Sequence, residues 1–548
     1  MKTMLNKIVL TTVLIFSFIL LYGCGVKHEV TFYVENEVYK SVLVTDGQQV
    51  EEIKGPEVSG KKFEYWLYED EKYDFNYVIS EDIALYAFYS NLTDKISDKL
   101  NIYYLNDTHG AILNNGEEMG MAKIANLINT NYDNNPNETI FIAGGDMFQG
   151  QLISNTNRGA LMIEILNQMN LDAFVIGNHE FDWGIDEILK YFNSETTGVK
   201  ANFPILGANI KLKSTNELPN FVKPYTIIEK NNLKIGIIGV IGDYLESDIF
   251  APNVEDYYFS DAYEAVNKYA NEINDQVDLI LVVNHNSDKY DFNGKVAEID
   301  KVAAVFNGHS HQAYYGKINN KVPYIQSKRN GERVGNIVLN FTNNGNQVSV
   351  VSSSVQNLRE KDETLLRTGD QDIEKLINKY YLDIKYLYED ELLTANRNFT
   401  KNEISQYISK VMAEFTDSVA GFQNGGGTRM ELDANKIIHA SDLFQIFPFD
   451  NQIIYTEVTG KELKQLLNSS LINYLNIDKS KIVDTNKYRV ATNNFVFFST
   501  DEYLVFNNYF DDYSSAGDMY ETLYEVVLAL KASGEKYFNS DSPVIFKN

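Results

Sequence analysis

Cysteine is almost missing: the 548-residue chain holds one, Cys24. No disulfide within the chain can therefore stabilise it. Proline is scarce at 9 residues while 44% of the chain is hydrophobic, a composition of folded rather than disordered protein. Positive charge is in deficit, with 48 Lys and Arg against 76 Asp and Glu, a net charge of −28. A field of that sign repels polyphosphate backbones and anionic lipid, which excludes non-specific binding to nucleic acid polymers. A phosphate-bearing substrate then requires metal ions or a local arginine cluster that reverses the field. Apolar runs of membrane-spanning length are absent beyond residue 22. The length itself exceeds one compact core and predicts two or three domains.

At the N-terminus, Lys2 and Lys7 precede an uncharged apolar run over residues 8–22 that leads into Gly23-Cys24. The run is short for a bilayer span and fits a secretory signal. Residues 1–24 resemble a lipoprotein signal peptide, which implies lipidation at Cys24. The expected location is the extracellular face of the bacterial cell membrane, the mature chain anchored by lipid rather than spanning.

Residues 26–90 read as a small β-rich module: Val30–Val34 and Ile83–Tyr89 are strand-like, and Lys62-Phe63-Glu64-Tyr65-Trp66 supplies aromatic anchors. The module resembles the β-grasp-like repeat of bacterial surface proteins typified by internalin B-repeats. It serves as a spacer, or as the contact for a surface partner.

From residue 100 the rhythm changes. Short apolar runs at 102–105, 139–143, 173–176, 205–206, 234–241, 279–283 and 303–306 each lead into a polar cluster. Helix-period segments lie between them, such as Ala122, Ile124, Ala125, Leu127 and Ile128. Strands apolar on both faces, alternating with helices, predict a layered α/β domain over 100–345. In such domains chemistry collects beyond the carboxyl ends of the strands. The spacing of Ile373, Leu376, Ile377, Tyr380, Tyr381, Ile384 and Tyr388 predicts a connecting helix within 372–395. A mixed α+β domain follows over 396–548.

Five of the seven histidines, His109, His179, His285, His309 and His311, fall in the α/β segment, each just after an apolar run. They sit in Asp107-Thr108-His109, Gly177-Asn178-His179-Glu180-Phe181-Asp182, Asn284-His285-Asn286 and Gly308-His309-Ser310-His311, and Gly144-Gly145-Asp146 ends a further run. Carboxylate, imidazole and amide oxygen together suit Zn²⁺, Mn²⁺ or Fe. The set is too large for one ion and fits two divalent metal ions, an arrangement suited to displacement at phosphorus.

In this order the motifs resemble the calcineurin-like metallophosphatases. The GNHEFD run, with Asn424-Gly425-Gly426-Gly427-Thr428-Arg429 downstream, resembles the bacterial 5′-nucleotidase family. That resemblance implies a β-sandwich flanked by helices and a C-terminal substrate-binding domain. It implies that Asp107, His109 and His311 hold one metal and Asn178, His285 and His309 the other, with Asp146 bridging. His179, oriented by Asp182, would act on the transition state or the leaving group. Asn424, Gly426 and Arg429 would contact the substrate, Arg429 through phosphate, and Phe449 would stack on the base. Asp518 matches the acid of a substrate-binding turn, Arg397 a phosphate-binding arginine, and Tyr509, Phe510 and Tyr513 compete for the second face of the base. Family members swing the C-terminal domain, which places a hinge near the connecting helix.

The function implied is a cell-surface hydrolase releasing phosphate from extracellular nucleotides. Within the same chemistry stand 2′,3′-cyclic-nucleotide phosphodiesterase with 3′-nucleotidase activity, and UDP-sugar hydrolase. A surface adhesin built on an inactive scaffold is the alternative of another class.

Overall fold

The computed structural model describes residues 26–548, apart from 35–36, 57, 59–60, 70, 92–97, 193–197, 344–347, 500–502 and 547–548. The expected signal peptide and lipidation at Cys24 lie outside the described residues. The chain forms two compact units that divide between residues 95 and 96.

In the first unit, strands Lys27–Val34 and Ile83–Asn91 pair in parallel at the centre of a five-stranded sheet, Val30 opposite Ile83. Strands Glu37–Thr45 and Lys61–Tyr68 flank them antiparallel, and Glu71–Lys72 closes one edge. The period-two pattern turns Val30 and Phe32 to one face, where they are buried with Trp66 and Leu85. Trp66 meets Phe32 edge-on at 4.7 Å, and its indole N–H donates to the Ile53 carbonyl at 2.6 Å.

The second unit opens with two six-stranded sheets. The first runs Val348–Leu358, Val334–Asn343, Lys99–Leu105, Thr139–Ala143, Ala173–Val175 and Ile205–Leu206, the last four mutually parallel. The second runs Tyr225–Lys230, Leu233–Ile241, Leu279–His285, Val302–Asn307, Val322–Ser327 and Ala313–Ile318, again with a parallel centre. Alternate residues pack the sheets face to face: Ile102, Tyr104 and Ile142 from one, with Ile237, Leu281 and Phe306 from the other. The intervening residues point outward, Tyr103 and Phe141 under the helix Met121–Asn134, Val240 and Val282 under the helix Ala262–Ile273. Both faces of each central strand are thus buried, which is why the runs read as almost unbroken apolar sequence.

A C-terminal five-stranded sheet orders Ile472–Leu475, Ala420–Gln423, Lys487–Asn493, Gln452–Thr459 and Ser514–Asp518. Helices Lys401–Phe415 and Met519–Ala532 cover it. The helix Gln371–Glu389 is capped by Asp370, whose carboxylate accepts from the Asp372 and Ile373 amides at 3.0 and 3.2 Å. Its apolar stripe packs on the outer core of the sandwich, where the Tyr380 hydroxyl donates to Glu164 at 2.6 Å and Tyr388 accepts from the Ile153 amide at 3.0 Å. Leu392 and Leu393, by contrast, belong to the C-terminal core. The connecting helix thus packs mainly on the sandwich, while Leu387 near its end reaches the C-terminal core that Leu392 and Leu393 enter.

Candidate active site

The parallel strands end on one side of the sandwich, and each end delivers one of the predicted clusters. Asp107 and His109 follow Leu105, Asp146 follows Ala143, Asn178 and His179 follow Val175, His285 closes its own strand, and His309 and His311 follow Asn307. Five of these residues leave the strand with left-handed backbone: Asp107, His109, Asp146, His309 and His311 have φ between 48° and 65°. Each such non-glycine conformation costs ~1 kcal/mol or more, and it persists where surrounding contacts over-determine it. Here the loops interlock. The Asp107 amide donates to the Gly145 carbonyl at 3.0 Å, and the His109 amide to the Asp146 carbonyl at 2.9 Å. The His309 amide meets the Asp107 carboxylate at 2.9 Å. A Cβ on Gly177 would lie 2.3 Å from Asp146 Oδ1, so only glycine lets these turns approach.

Glu180, quoted within its motif but given no role from sequence, clamps the arrangement. Its buried carboxylate accepts from the amides of Asp146, Met147 and Gly177 at 2.8, 2.9 and 2.7 Å. Burial, reinforced by Asp146, raises this carboxyl to about 7.

Side chains then gather into three groups whose ligand atoms lie within 4.8 Å of one another: Asp107, His109 and His311; His109, Asp146 and His179; Asp146, His285 and His309. Asp146 is common to the second and third. The His109 and His311 Nε2 atoms come within 2.9 Å, and His309 Nδ1 lies 3.0 Å from Asn178 Oδ1. His285 has its Nδ1 at 2.6 Å from the Gly144 carbonyl, which fixes the proton there and turns Nε2 inward. That Nε2 sits 3.1 Å from Asp146 Oδ2, yet Oδ2 is buried and receives no hydrogen bond. An orphaned carboxylate oxygen ringed by imidazole nitrogens and an amide oxygen fits a pair of divalent cations.

The electrostatics agree. Burial and His285 bring His309 down to about 3, and burial with Arg429 does the same to His311, so both are neutral as ligands must be. Burial opposes a proton on His285, but Asp146 outweighs it and carries the group up to about 10. The negative potential that would retain a proton there equally favours a metal cation. Asp107 is raised by burial to about 7.

His179 differs from the other imidazoles. Its Nδ1 is 2.6 Å from Asp182 Oδ2, and its amide donates to Asp146 Oδ1 at 2.8 Å. Burial works against its proton, but Asp182 and Asp146 together outweigh burial and lift it to about 9. The carboxylates around it favour its protonated form.

His179 faces a cavity of about 680 Å³. One wall is Asn178, His179, Asp182, His309 and His311, and the opposite wall comes from the C-terminal domain as Asn424, Gly425, Gly426, Arg429 and Phe449. A Cβ on Gly425 or Gly426 would meet nothing nearer than 4.0 or 3.9 Å, so this turn presents bare backbone to the cavity. Phe449 is held there from behind, because Gln149 Nε2 donates to the Pro448 carbonyl at 2.5 Å.

Residues 100–313 match the Calcineurin-like phosphoesterase family and residues 388–481 match the 5′-nucleotidase C-terminal domain. The first matched segment carries the metal-type clusters, and the second carries the opposite wall of the cavity. Endonuclease YhcR of Bacillus subtilis is 26% identical over 363 residues, 61% of this chain but 29% of that protein. The chain thus spans under a third of that longer relative. A 5′-nucleotidase of Vibrio vulnificus is 24% identical over 447 residues, covering 71% of this chain and 77% of its own length. The 5′-nucleotidase precursor of Thermus thermophilus superposes with a TM-score of 0.65 at 19% identity, over 80% of this chain and 97% of that one, a likeness of fold.

Three sequence-predicted residues do not line the cavity. The Asp518 carboxylate caps the helix Met519–Ala532 by accepting from the Glu521 amide at 2.8 Å. Arg397 pairs with Glu403 at 2.7 Å and lies over the Phe399 ring. Tyr513 packs against Phe497 and Phe498. The competing Tyr509 donates to Glu462, and Phe510 joins the Phe497 cluster. The aromatics facing the cavity besides Phe449 are Trp183, Phe250, Phe495 and Tyr503. Trp183 directly follows the Gly177–Asp182 run, whereas the surroundings of Phe250, Phe495 and Tyr503 hold no motif and only the fold brings them here.

Proposed function

We propose that the chain is a metal-dependent hydrolase of the 5′-nucleotidase type, releasing phosphate from nucleotides. The carrying observation is the single cavity with the histidine and aspartate clusters on one wall and Arg429, bare glycine backbone and aromatic rings on the other. Metal chemistry and nucleoside recognition meet there within the reach of one nucleotide.

Asp107, His109 and His311 would hold one ion, Asn178, His285 and His309 the other, with Asp146 between. Bound divalent ions would supply Lewis acidity toward the phosphoryl oxygens. The protein's own groups supply the rest. Arg429 adds a fixed positive charge that offsets the anionic chain as a whole. Asp182 orients His179 and favours its protonated form, which would let it donate a proton to a departing ribose oxygen. Phe449, Phe495 and Tyr503 offer π faces to a base, which is a base-tolerant form of recognition.

Chelator-sensitive hydrolysis of 5′-AMP, 3′-AMP, ATP, 2′,3′-cyclic AMP and UDP-glucose, with products resolved and each with Mn²⁺ or Zn²⁺, tests the reading. Fast release from 5′-AMP supports it. Preference for the cyclic or 3′ substrate would replace it with the phosphodiesterase reading. No hydrolysis of any substrate would favour the adhesin.

The resemblance of residues 1–24 to a lipoprotein signal supports a surface location. The hydrolase would be lipid-anchored at Cys24, acting on extracellular nucleotides, with residues 26–90 as spacer or partner contact. Labelling with a palmitate analogue, lost in Cys24→Ser, tests the anchor.

A further inference from the structure

Behind the main cavity lies a smaller one of about 120 Å³, lined by His109, His311, Arg429, Arg329, Glu118 and Pro448 among others. The two cavities share His311, Gln149 and Arg429. Arg429 thus stands at their junction, beside the His109–His311 cluster.

Arg329 is brought there by a loop built into the metal-type site. The Ser327 amide donates to Asn106 Oδ1 at 2.8 Å, Asn106 Nδ2 donates to the Lys328 carbonyl at 2.8 Å, and the Asn330 amide donates to the Asp107 carbonyl at 2.8 Å. The loop is therefore pinned on both sides of Arg329 to the residues that open the first cluster.

The neighbouring carboxylates are already engaged. Lys328 pairs closely with Glu332, whose nearest approach to Arg329 Nε is 4.0 Å, too long for a hydrogen bond. Glu118 accepts from Gln151 and Asn330, each at 2.7 Å. Among the described residues the Arg429 guanidinium makes no hydrogen bond or ion pair, only its contact with the Phe449 ring at 5.8 Å. Two guanidinium groups with unspent donors face one small cavity in a chain of net charge −28. Guanidinium forks match phosphate oxygens in geometry as well as charge.

We propose that Arg329 and Arg429 form a second phosphate subsite beside the His109–His311 cluster, so that the enzyme favours substrates with two adjacent phosphate groups. The subsite deepens the phosphoester reading and rests on it.

Calorimetric titration of the Mn²⁺-loaded full chain with inorganic phosphate and inorganic pyrophosphate, at buffered free Mn²⁺, tests it. Arg329→Ala should weaken pyrophosphate about tenfold, the scale of one charge-assisted hydrogen bond, and phosphate by less than about twofold. Arg329→Lys should retain part of the preference, and Arg329→Gln, a shorter polar side chain without the charge, should match the alanine variant. Equal weakening of both anions, or of neither, overturns the subsite. Binding is read without turnover, so a protein that hydrolyses no nucleotide would refute the function while the anion comparison still decides the subsite.

Discussion

The imidazole of His179 and the ring of Phe449 lie nearly face to face, with centroids 5.8 Å apart and planes inclined by 27°. One belongs to the loop after a sandwich strand, the other to the C-terminal domain. A base stacked on Phe449 would thus lie close to the group placed to protonate the leaving oxygen.

Phe449→Leu keeps the bulk but removes the π face. KM for 5′-AMP should rise about tenfold, in line with a stacking contribution of ~1–3 kcal/mol. A substrate without a base, p-nitrophenyl phosphate, should be nearly unaffected. Equal losses on both substrates would mean that Phe449 supports the wall and does not recognise a base.

Asp182→Asn should leave metal content unchanged and lower kcat for 5′-AMP by ~10²-fold or more, because His179 loses the partner that keeps it protonated. The p-nitrophenolate leaving group departs without a proton, so its kcat should fall much less. A parallel fall on both substrates would assign His179 to phosphoryl stabilisation and not to proton donation.

Asp146→Asn should remove most bound metal, since its carboxylate belongs to two of the three clusters. Elemental analysis should find about two ions in the parent, as a paired-metal site requires, and less than half of that in the variant. The rise in Tm on adding Mn²⁺ should shrink with it. Unchanged stoichiometry would exclude Asp146 as the shared ligand.

Glu403 gives a pH-dependent stability term. The Arg397 side chain, with Thr400 in the capping box, pulls its carboxyl from an ordinary 4.5 to about 2. The folded value lies below the unfolded one, so the stabilisation is complete above about pH 5 and is lost as pH falls toward 2. Differential scanning should show Glu403→Gln melting below the parent at pH 7, with more than half of that gap gone by about pH 3. A gap constant across this range would show that Glu403 contributes no charge-dependent stability.

Much of the α/β layer could be read directly, because its central strands are apolar on both faces and Ile102–Leu105 or Leu279–Val283 have no other stable placement. The histidine clusters were visible for the same reason: each follows its strand within a few residues. Which core the connecting helix serves was not legible, since Tyr380 and Tyr388 look like any helix stripe until Glu164 and Ile153 show it. The second aromatic wall was not legible. Tyr513 lies nearest the expected turn in sequence, while Phe495 and Tyr503 reach the cavity. The pairing that takes Arg397 and the helix cap that takes Asp518 depend on where neighbouring elements begin.

By itself the sequence determined the alternation of strands and helices, the placement of carboxylates and imidazoles at strand ends, and the net charge that makes phosphate binding depend on a local reversal. These are local properties, set by side-chain period and by residues a few positions apart. Only the tertiary structure decided which distant groups share a cavity. It brought Asp107 to His309, Phe449 to His179 and Arg329 to Arg429, because such contacts come from the packing of whole layers and leave no trace in the spacing of residues.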